Sequence, residues 1–233
     1  MPSLQDQVFI LTGGAGAIAG AVAEALARAG ARLVLVDKAQ PLLQERAQAL
    51  EALPLTHDLT QYPEAVRMVE AAKTAFGRVD GLIHTVRGFA TGRLHEAPPE
   101  AYDQLFDANV RSLFYAVRAV LPELKAAGRG FIAGFAAGPA WRGGAAGMGL
   151  YAAAKSAVAA LLRSLDAELT ENAIRVAVLY PMGAVDTPQN RRAMPHTDPQ
   201  TWIAPEAIAE ALLFAATRSP RGRLLEIPIY PPR

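Results

Sequence analysis

The chain has 233 residues, of which 52% are hydrophobic, and its 23 basic residues nearly balance its 22 acidic ones for a net charge of +1. This length and composition predict a single domain, residues 1–233, with a large core. The near-zero charge excludes a strong electrostatic attraction to nucleic acid or to an anionic membrane and favours a small molecule as the partner. Because the chain has no cysteine, disulfides, a thiolate nucleophile and cysteine-based metal sites are excluded as well.

Neither a metal site nor a membrane span is predicted. The four histidines never occur at the i, i+4 spacing that places two ligands on one helix face, so we interpret them as structural or surface residues. They are His57, His84, His95 and His196. No apolar segment reaches the ~18 residues that a span requires, and the N-terminus shows no basic leader. We therefore expect a cytoplasmic protein.

Short apolar runs alternate along the chain with segments of helical periodicity. The predicted strands are residues 8–11, 32–36, 53–56, 79–85, 130–135, 174–180 and 224–230. The predicted helices are residues 17–29, 41–52, 63–76, 99–126, 150–171 and 205–217. This alternation is typical of βαβ units, so an α/β fold is expected, with a parallel, doubly wound sheet covered by helices on both faces.

The turn after the first predicted strand, TGGAGAIAG at residues 12–20, is rich in small residues and opens a helix. Small residues let the backbone approach a diphosphate, and the helix N-terminus offers free N–H groups and a positive dipole end. Its place between strand and helix indicates a dinucleotide site. The predicted cofactor-binding residues of this turn are Thr12, Gly13, Gly14, Gly16, Ala17 and Ile18.

Two aspartates follow the second and third predicted strands. Asp37 ends the second strand, where a carboxylate accepts hydrogen bonds from the adenosine ribose hydroxyls and repels a 2′-phosphate, so it predicts NAD rather than NADP. Lys38 softens that preference without reversing it. Asp58 is placed to meet the adenine amino group, and a helix N-cap is an equally plausible role for it.

Two segments are longer than tight connections require. Residues 86–98 and 181–204 are rich in Gly, Pro and polar residues, and each follows a predicted strand. Ligands of doubly wound sheets lie at the carboxyl ends of the strands. Both segments are therefore candidate substrate loops, with a surface insertion as the alternative.

Tyr151 and Lys155 lie at i, i+4 and share one face of a predicted helix. A phenol with a pKa near ~10 is a poor acid or base at neutral pH, but an adjacent ammonium stabilises the phenolate and lowers that pKa. The pair is thus a candidate proton donor. An ordinary tyrosine and lysine on an amphipathic helix is the alternative, and the cofactor turn upstream favours catalysis.

These residues, in this order, resemble the short-chain dehydrogenase/reductase family over essentially the whole chain. The family's cofactor turn matches residues 12–19, its acidic residue matches Asp37, its D-x-N pattern matches DAN and ends at Asn109, and its Y-x-x-x-K matches Tyr151 and Lys155. The resemblance implies a seven-stranded Rossmann fold and hydride transfer involving nicotinamide. It also implies Tyr151 as the acid/base, Lys155 on the nicotinamide ribose and Asn109 beside a proton-relay water.

Four positions depart from the family pattern. Ala17 and Ala19 replace glycines of the cofactor turn, and their methyl groups are expected to crowd the diphosphate. Arg87 stands where the family has a glycine beside the cofactor; contact with phosphate or substrate and an outward orientation both stay open. Gly138 lies thirteen residues before Tyr151, where the family serine sits, and residues 131–150 contain no serine or threonine.

One branch of the family, dihydropteridine reductase, also lacks that serine. Its cofactor turn resembles GGAGAIA at 13–19, and its loop pattern D-T-P-x-N-R-x-x-M-P-x-x-D-x-x-x-W resembles residues 186–202. This loop is long and under little packing constraint, so the match is specific to a subgroup. The family contact with the nicotinamide carboxamide matches Pro181 and Thr187, whose spacing is one residue longer than usual.

The sequence thus predicts an NAD(H)-dependent oxidoreductase that transfers hydride to a polarised C=N or C=O group, with quinonoid dihydropteridine among the candidate substrates. The alternative is a nucleotide-binding homologue that lost activity together with the serine. The resemblance further implies a homodimer or homotetramer assembled through the helices predicted at 99–126 and 150–171.

Overall fold

In a computed structural model, which describes residues 3–219 and 221–233, the chain folds into a seven-stranded, fully parallel sheet. The strand order is β3-β2-β1-β4-β5-β6-β7. The strands are β1 (Val8–Thr12), β2 (Arg32–Asp37), β3 (Leu53–Thr56), β4 (Gly81–His84), β5 (Arg129–Phe135), β6 (Ala173–Pro181) and β7 (Glu226–Ile229). The predicted doubly wound α/β fold is confirmed.

The helices cover both faces of this sheet. They are α1 (Ala17–Arg28), α2 (Gln40–Ala49), α3 (Tyr62–Phe76), α4 (Glu100–Phe106), α5 (Ser112–Ala127), α6 (Gly138–Trp141), α7 (Gly149–Glu168), α8 (Pro188–Ala193) and α9 (Pro205–Thr217). One buried cluster joins α1, α2 and α9 to the sheet, and a second joins α3, α5 and α7 to the other face. Burial on both faces explains the almost continuously apolar strands.

The helix predicted over residues 99–126 is interrupted. A π-helical turn, Asp107–Arg111, separates α4 from α5. Such a turn widens the helix by one residue and often lies at a functional site. The prediction of one continuous helix over 99–126 did not include this turn.

The predicted loop 181–204 is more ordered than its composition indicated. It contains α8, and a parallel bridge between Val185 and Ile203 closes its two ends. Trp202 is buried near the closing end. The helix α8 therefore lies within a segment whose ends are tied together.

Among the described residues, no helix is both long enough and apolar enough to cross a membrane.

Candidate active site

A cavity of about 730 Å³ lies at the carboxyl ends of β1, β2 and β4. Its volume is within the range of small-molecule and cofactor pockets. The predicted site residues on its wall are Gly13, Gly16, Ala17, Ile18, Asp37, Asp58 and Thr187. The predicted residues that do not line it are Thr12, Gly14, Asn109, Tyr151, Lys155 and Pro181.

The cofactor turn is held close to the segment after β4. Gly13 has a φ of +74°, and a Cβ at this position would lie 2.6 Å from Thr85 Oγ1. Thr85 in turn donates from its hydroxyl to the carbonyl of Thr12 at 2.7 Å. A side chain at residue 13 would therefore be strained and would clash. Gly14 lies behind the turn, and its N–H donates to the Val36 carbonyl at 3.0 Å.

The turn places the N-terminus of α1 at the wall of the cavity. Gly16 is the N-cap residue and has no side chain to satisfy the first N–H groups of the helix, so they stay available for a ligand. Ala17 and Ile18 line the cavity at this point. Ala19 also lines the cavity, although it is fully buried and packs in the core cluster beneath α1. The expected crowding of a diphosphate by Ala17 and Ala19 stays a prediction.

Arg46 braces the same turn and was not predicted from the sequence. From α2 its Nη1 donates to the carbonyl oxygens of Gly14 and Gly16, the latter at 2.9 Å. A Cβ at Gly20 would lie 2.7 Å from Arg46 Nη2, so only glycine leaves room for the guanidinium. Partial burial lowers the pKa of Arg46. Arg46 is distant from the turn in sequence. A motif of adjacent residues therefore does not predict this contact.

Asp37 lies at the end of β2 on the cavity wall. Its Oδ2 accepts from the Ala15 N–H at 2.9 Å and its Oδ1 accepts from the Ala39 N–H at 3.1 Å. The carboxylate therefore fixes the turn after β1 in addition to lining the cavity.

Asp58 does not cap a helix, so the N-cap alternative is wrong. The residue at the N-cap of α3 is Gln61, and Asp58 Oδ1 instead accepts from the N–H of Thr60 at 2.9 Å and its hydroxyl at 2.7 Å. Lys38 Nζ lies 2.8 Å from Asp58 Oδ2. Burial acts to raise the pKa of Asp58, but the bonds from Lys38 and Thr60 lower it overall.

Tyr151 lies on α7 in an apolar setting. Its ring packs with Leu105 and Ala137, and Phe89 meets it edge to face with ring centroids 4.9 Å apart. Burial raises the pKa of Tyr151, and the nearby Arg87 partly opposes that rise. The direction is opposite to the expected lowering, because the phenol is desolvated and no ammonium compensates for it in this structure.

Lys155 is buried one turn further along α7. It is 2% exposed, and its Nζ donates to the Phe135 carbonyl at 2.8 Å. Burial, and secondarily Arg87, lowers the pKa of Lys155 from 10.5 to about 7. Desolvation therefore weakens the ammonium on which the tuning of Tyr151 depends.

Asn109 lies in the π-helical turn between α4 and α5. Its Nδ2 donates to the carbonyls of Leu105 at 2.8 Å and Gly88 at 3.0 Å. Its buried Oδ1 has no partner among the described residues. A buried acceptor without a partner is costly, which indicates a place for an additional donor such as water.

A buried polar chain holds this turn against the sheet. Ser112 donates from its hydroxyl to the Ala108 carbonyl at 2.7 Å and lies 3.1 Å from His84 Nε2. His84 Nδ1 lies 2.8 Å from Thr12 Oγ1. Burial, aided by Lys155, lowers the pKa of His84 to about 3, so the ring is neutral. His84 thus donates from Nε2 and accepts at Nδ1, a role that sequence reasoning missed.

The segment without hydroxyls contributes Ala137 to the buried cluster that contains Leu105 and Tyr151. Gly138 begins α6, and a Cβ there would lie 3.0 Å from Arg142 Nη1 and 3.3 Å from Met182 Cα. Neither residue supplies a hydroxyl to the candidate site.

The two predicted substrate loops meet across the cavity. Arg87 Nη2 donates to Gln189 Oε1 at 3.3 Å, and both residues line the cavity. Thr187 caps α8 by accepting from the Asn190 N–H at 3.2 Å, and it is buried. Pro181 ends β6 outside the cavity lining.

Comparison with known proteins agrees with this arrangement. The family model described as short chain dehydrogenase matches residues 7–198. The chain belongs to the short-chain dehydrogenase family. It is therefore an oxidoreductase of that family, whose members bind a nicotinamide cofactor.

Relatives and solved short-chain dehydrogenases match nearly the full chain. Uncharacterised oxidoreductases of Staphylococcus saprophyticus and Staphylococcus haemolyticus are 29% and 28% identical, each over 99% of this chain and 100% of the relative. The 3-ketoacyl-(acyl-carrier-protein) reductase of Brucella melitensis, solved with NADH, has a TM-score of 0.87 at 26% identity, with 97% of this chain and 98% of that chain covered. Levodione reductase has the same fold, with a TM-score of 0.87 at 24% identity and coverage of 97% and 96%.

Proposed function

We propose that this short-chain dehydrogenase is an NAD(H)-dependent reductase of a polarised C=O or C=N group in a small molecule. The observation that carries the proposal is the carboxylate of Asp37 on the wall of the cavity that the cofactor turn opens. A carboxylate at the end of the second strand favours a free ribose 2′-hydroxyl. The reductase of Brucella melitensis, solved with NADH, supports the same cofactor.

The residues present fit a dinucleotide. Gly13 permits the close backbone approach, the N-terminus of α1 offers free N–H groups, and Asp37 faces the ribose. Asp58 lines the cavity where adenine would bind. Thr187 supplies a hydroxyl at the opposite end, and Pro181 directs the chain toward it from β6.

Bound NADH would supply a hydride and leave as NAD⁺. As the substrate carbon accepts the hydride, its double bond to oxygen or nitrogen opens, and Tyr151 Oη gives its proton to that heteroatom. Lys155 would contact the nicotinamide ribose and stabilise the phenolate that remains. The unpartnered Oδ1 of Asn109 supports a water that returns the proton to Tyr151.

Quinonoid dihydropteridine is one specific candidate within this substrate class. It is supported by the loop at 186–202 and by the methyl group of Ala137 beside Tyr151. A conjugated imine is already polarised for hydride attack, so one acid at the ring nitrogen suffices. The inactive-homologue alternative is less favoured, since Tyr151, Lys155 and Asn109 are all retained.

We also infer self-association into a dimer or tetramer. Its support is the exposure of large apolar side chains on the helices concerned, Phe114 on α5 and Leu161 on α7, which are 46% and 39% exposed. An equilibrium sedimentation measurement tests it.

The test of function is NADH oxidation with quinonoid dihydropterin and a panel of ketones, comparing wild type with Tyr151→Phe. We expect the variant to lose turnover by about 10²- to 10⁴-fold, the usual contribution of a positioned acid. NADH binding, measured by fluorescence, should not change. Tyr230→Phe is the matched control, because that tyrosine is 61% exposed. Turnover equal to wild type in Tyr151→Phe would contradict the assigned acid.

A further inference from the structure

The segment after β4 brings an arginine to the catalytic side of the cavity. Arg87 is exposed and lines the cavity, and its one polar contact is the 3.3 Å hydrogen bond to the neutral amide of Gln189. Among residues 3–219 and 221–233 it has no carboxylate as an ion-pair partner. Its charge is thus available to a ligand.

Charged side chains of both signs line the cavity on the side of β2 and β3: Asp37, Asp58, Lys38 and Arg46. Asp58 is already paired with Lys38 there. Arg87 and Arg192 line the opposite end, after β4 and on α8. Of the described residues, no acidic side chain lines that end. A positive, partly enclosed surface of this kind attracts anions.

Arg87 also lies close to the reacting groups. Phe89, two residues further on, packs edge to face against Tyr151 at 4.9 Å. The charge of Arg87 acts to lower the pKa of both Tyr151 and Lys155, although burial is the larger influence on each. Ala137 and Gly138 supply no hydroxyl near Tyr151, and the charged donors on this side of the cavity are Arg87 and Arg192.

We propose that Arg87 binds an oxyanionic group of the substrate, a carboxylate or a phosphate, so that the enzyme reduces anionic carbonyl compounds. The planar fork of a guanidinium matches such groups with two parallel hydrogen bonds. Gln189 holds the fork in place from α8 through its side-chain oxygen. This inference rests on the proposed reductase function. Within that function it favours anionic carbonyl compounds over neutral pterins as substrates.

The test compares wild type with Arg87→Gln and Arg87→Lys in a buffer free of phosphate and carboxylate. The probes are pyruvate, acetoacetate and levulinate, each beside its methyl ester, and dihydroxyacetone phosphate beside dihydroxyacetone. Preference for an acid over its ester shows that the bound group is a carboxylate. Preference for dihydroxyacetone phosphate over dihydroxyacetone shows that it is a phosphate. Arg28→Gln, which removes the same charge from the far end of α1, is the control.

We expect the KM of the preferred anionic probe to rise about tenfold to a hundredfold in Arg87→Gln, the range for a lost hydrogen bond to a charged group. Arg87→Lys should recover part of this loss, because it restores the charge without the fork. The KM of the ester or unphosphorylated probe should be the same in wild type and both variants, and any change in kcat caused by the lost charge near Tyr151 should be shared by both members of each probe pair. The NADH dissociation constant should stay the same.

Calorimetry of the same anions binding to the enzyme–NAD⁺ complex gives a readout that needs no turnover. Tighter binding by wild type than by Arg87→Gln, without reduction of any probe, supports the Arg87 site and contradicts the reductase. Equal KM values for the anionic probes in wild type and Arg87→Gln, with reduction retained, support the reductase and overturn the inference. Equal anion binding by both proteins, or weaker NADH binding by Arg87→Gln, overturns it as well.

Discussion

The proposed adenosine-binding part of the cavity, called the adenosine end below, contains Asp37 and Arg46. The proposed catalytic residues Tyr151, Lys155 and Asn109, called the catalytic end below, lie outside the cavity lining. The two regions differ in how far the protein satisfies its own polar groups. At the adenosine end, both oxygens of Asp37 accept backbone N–H groups, and Arg46 donates to carbonyls of the cofactor turn. At the catalytic end, Asn109 Oδ1 has no partner and Lys155 makes one hydrogen bond, considering the residues that the structure describes.

This difference shows which part of the site is built in advance. The adenosine end is fixed by internal hydrogen bonds, so it offers a rigid place for the shared part of a dinucleotide. The catalytic end keeps buried groups whose satisfaction requires a cofactor, a substrate or water. Perturbing the catalytic end should therefore affect protonation and chemistry, whereas perturbing the adenosine end should affect cofactor affinity.

The largest expected effect is on the pH dependence of stability through Lys155. Its pKa is about 7 in the fold and 10.5 in the unfolded chain. Between these values the unfolded state holds a proton that the folded state lacks, so the free energy of unfolding rises with pH by about 1.4 kcal/mol per unit. Below pH 7 both states are protonated and the full destabilisation is present.

Chemical denaturation of cofactor-free protein from pH 6 to 10 measures this slope. Lys155→Met lacks the titrating group, so its stability should lose the rise that wild type shows above pH 7. The lost hydrogen bond to the Phe135 carbonyl changes the free energy of unfolding of the variant by the same amount at every pH. Lys73→Met is the control, since that lysine is exposed and pairs with Glu123 at the surface. Parallel curves for wild type and Lys155→Met would show that Lys155 keeps its proton in the fold.

A smaller effect is expected at the adenosine end with Asp37→Ala. The variant loses a charged acceptor for the ribose and the repulsion of a 2′-phosphate, so the preference for NADH over NADPH should fall about tenfold to a hundredfold. The variant also loses the hydrogen bond from the Ala15 N–H, and the looser turn should weaken the binding of NADH and NADPH equally. The ratio of the two dissociation constants therefore isolates the ribose contact.

Asp58→Ala provides the comparison. Adenine is identical in NADH and NADPH, so this variant should weaken the binding of both cofactors. The ratio of their dissociation constants should not change. If Asp37→Ala also left the ratio unchanged, Asp37 would be a brace of the cofactor turn and not a determinant of cofactor choice.

The fold was predictable because its signals are local and repeated. Each of the seven strand predictions overlaps an observed strand, since burial on both faces requires continuous apolar runs. The features that were missed depend on contacts between distant segments. Arg46 reaches the cofactor turn from α2, and His84 joins β1 to the helix after the π-helical turn.

The sequence predicts which residues form the candidate site but not their electrostatics. The i, i+4 spacing of Tyr151 and Lys155 predicted that they share one helix face. This spacing sets the distance between the two side chains, but it does not say how far each is exposed to water. Burial then lowers the pKa of Lys155 to about 7 and raises that of Tyr151, in a way that no pattern of residue types encodes.

The smallest expected effect comes from Arg46, the brace of the adenosine end. Arg46→Met removes its hydrogen bonds to the carbonyls of Gly14 and Gly16, and about tenfold weaker NADH binding should result. The turnover number at saturating NADH should stay the same, because Tyr151 and Lys155 lie at the other end. Arg67→Met, on the exposed surface of α3, is the charge-matched control.

A double-mutant cycle with Gly20→Ala separates bracing from a general loss of charge. A Cβ at Gly20 would lie 2.7 Å from Arg46 Nη2, so this substitution displaces the guanidinium from the turn. In wild type it should weaken NADH binding about as much as Arg46→Met does, and in the Arg46→Met background it should add little. Equal losses in the two backgrounds would mean that Gly20 and Arg46 act independently, and the turn would then owe its shape to Asp37 and Thr85 alone.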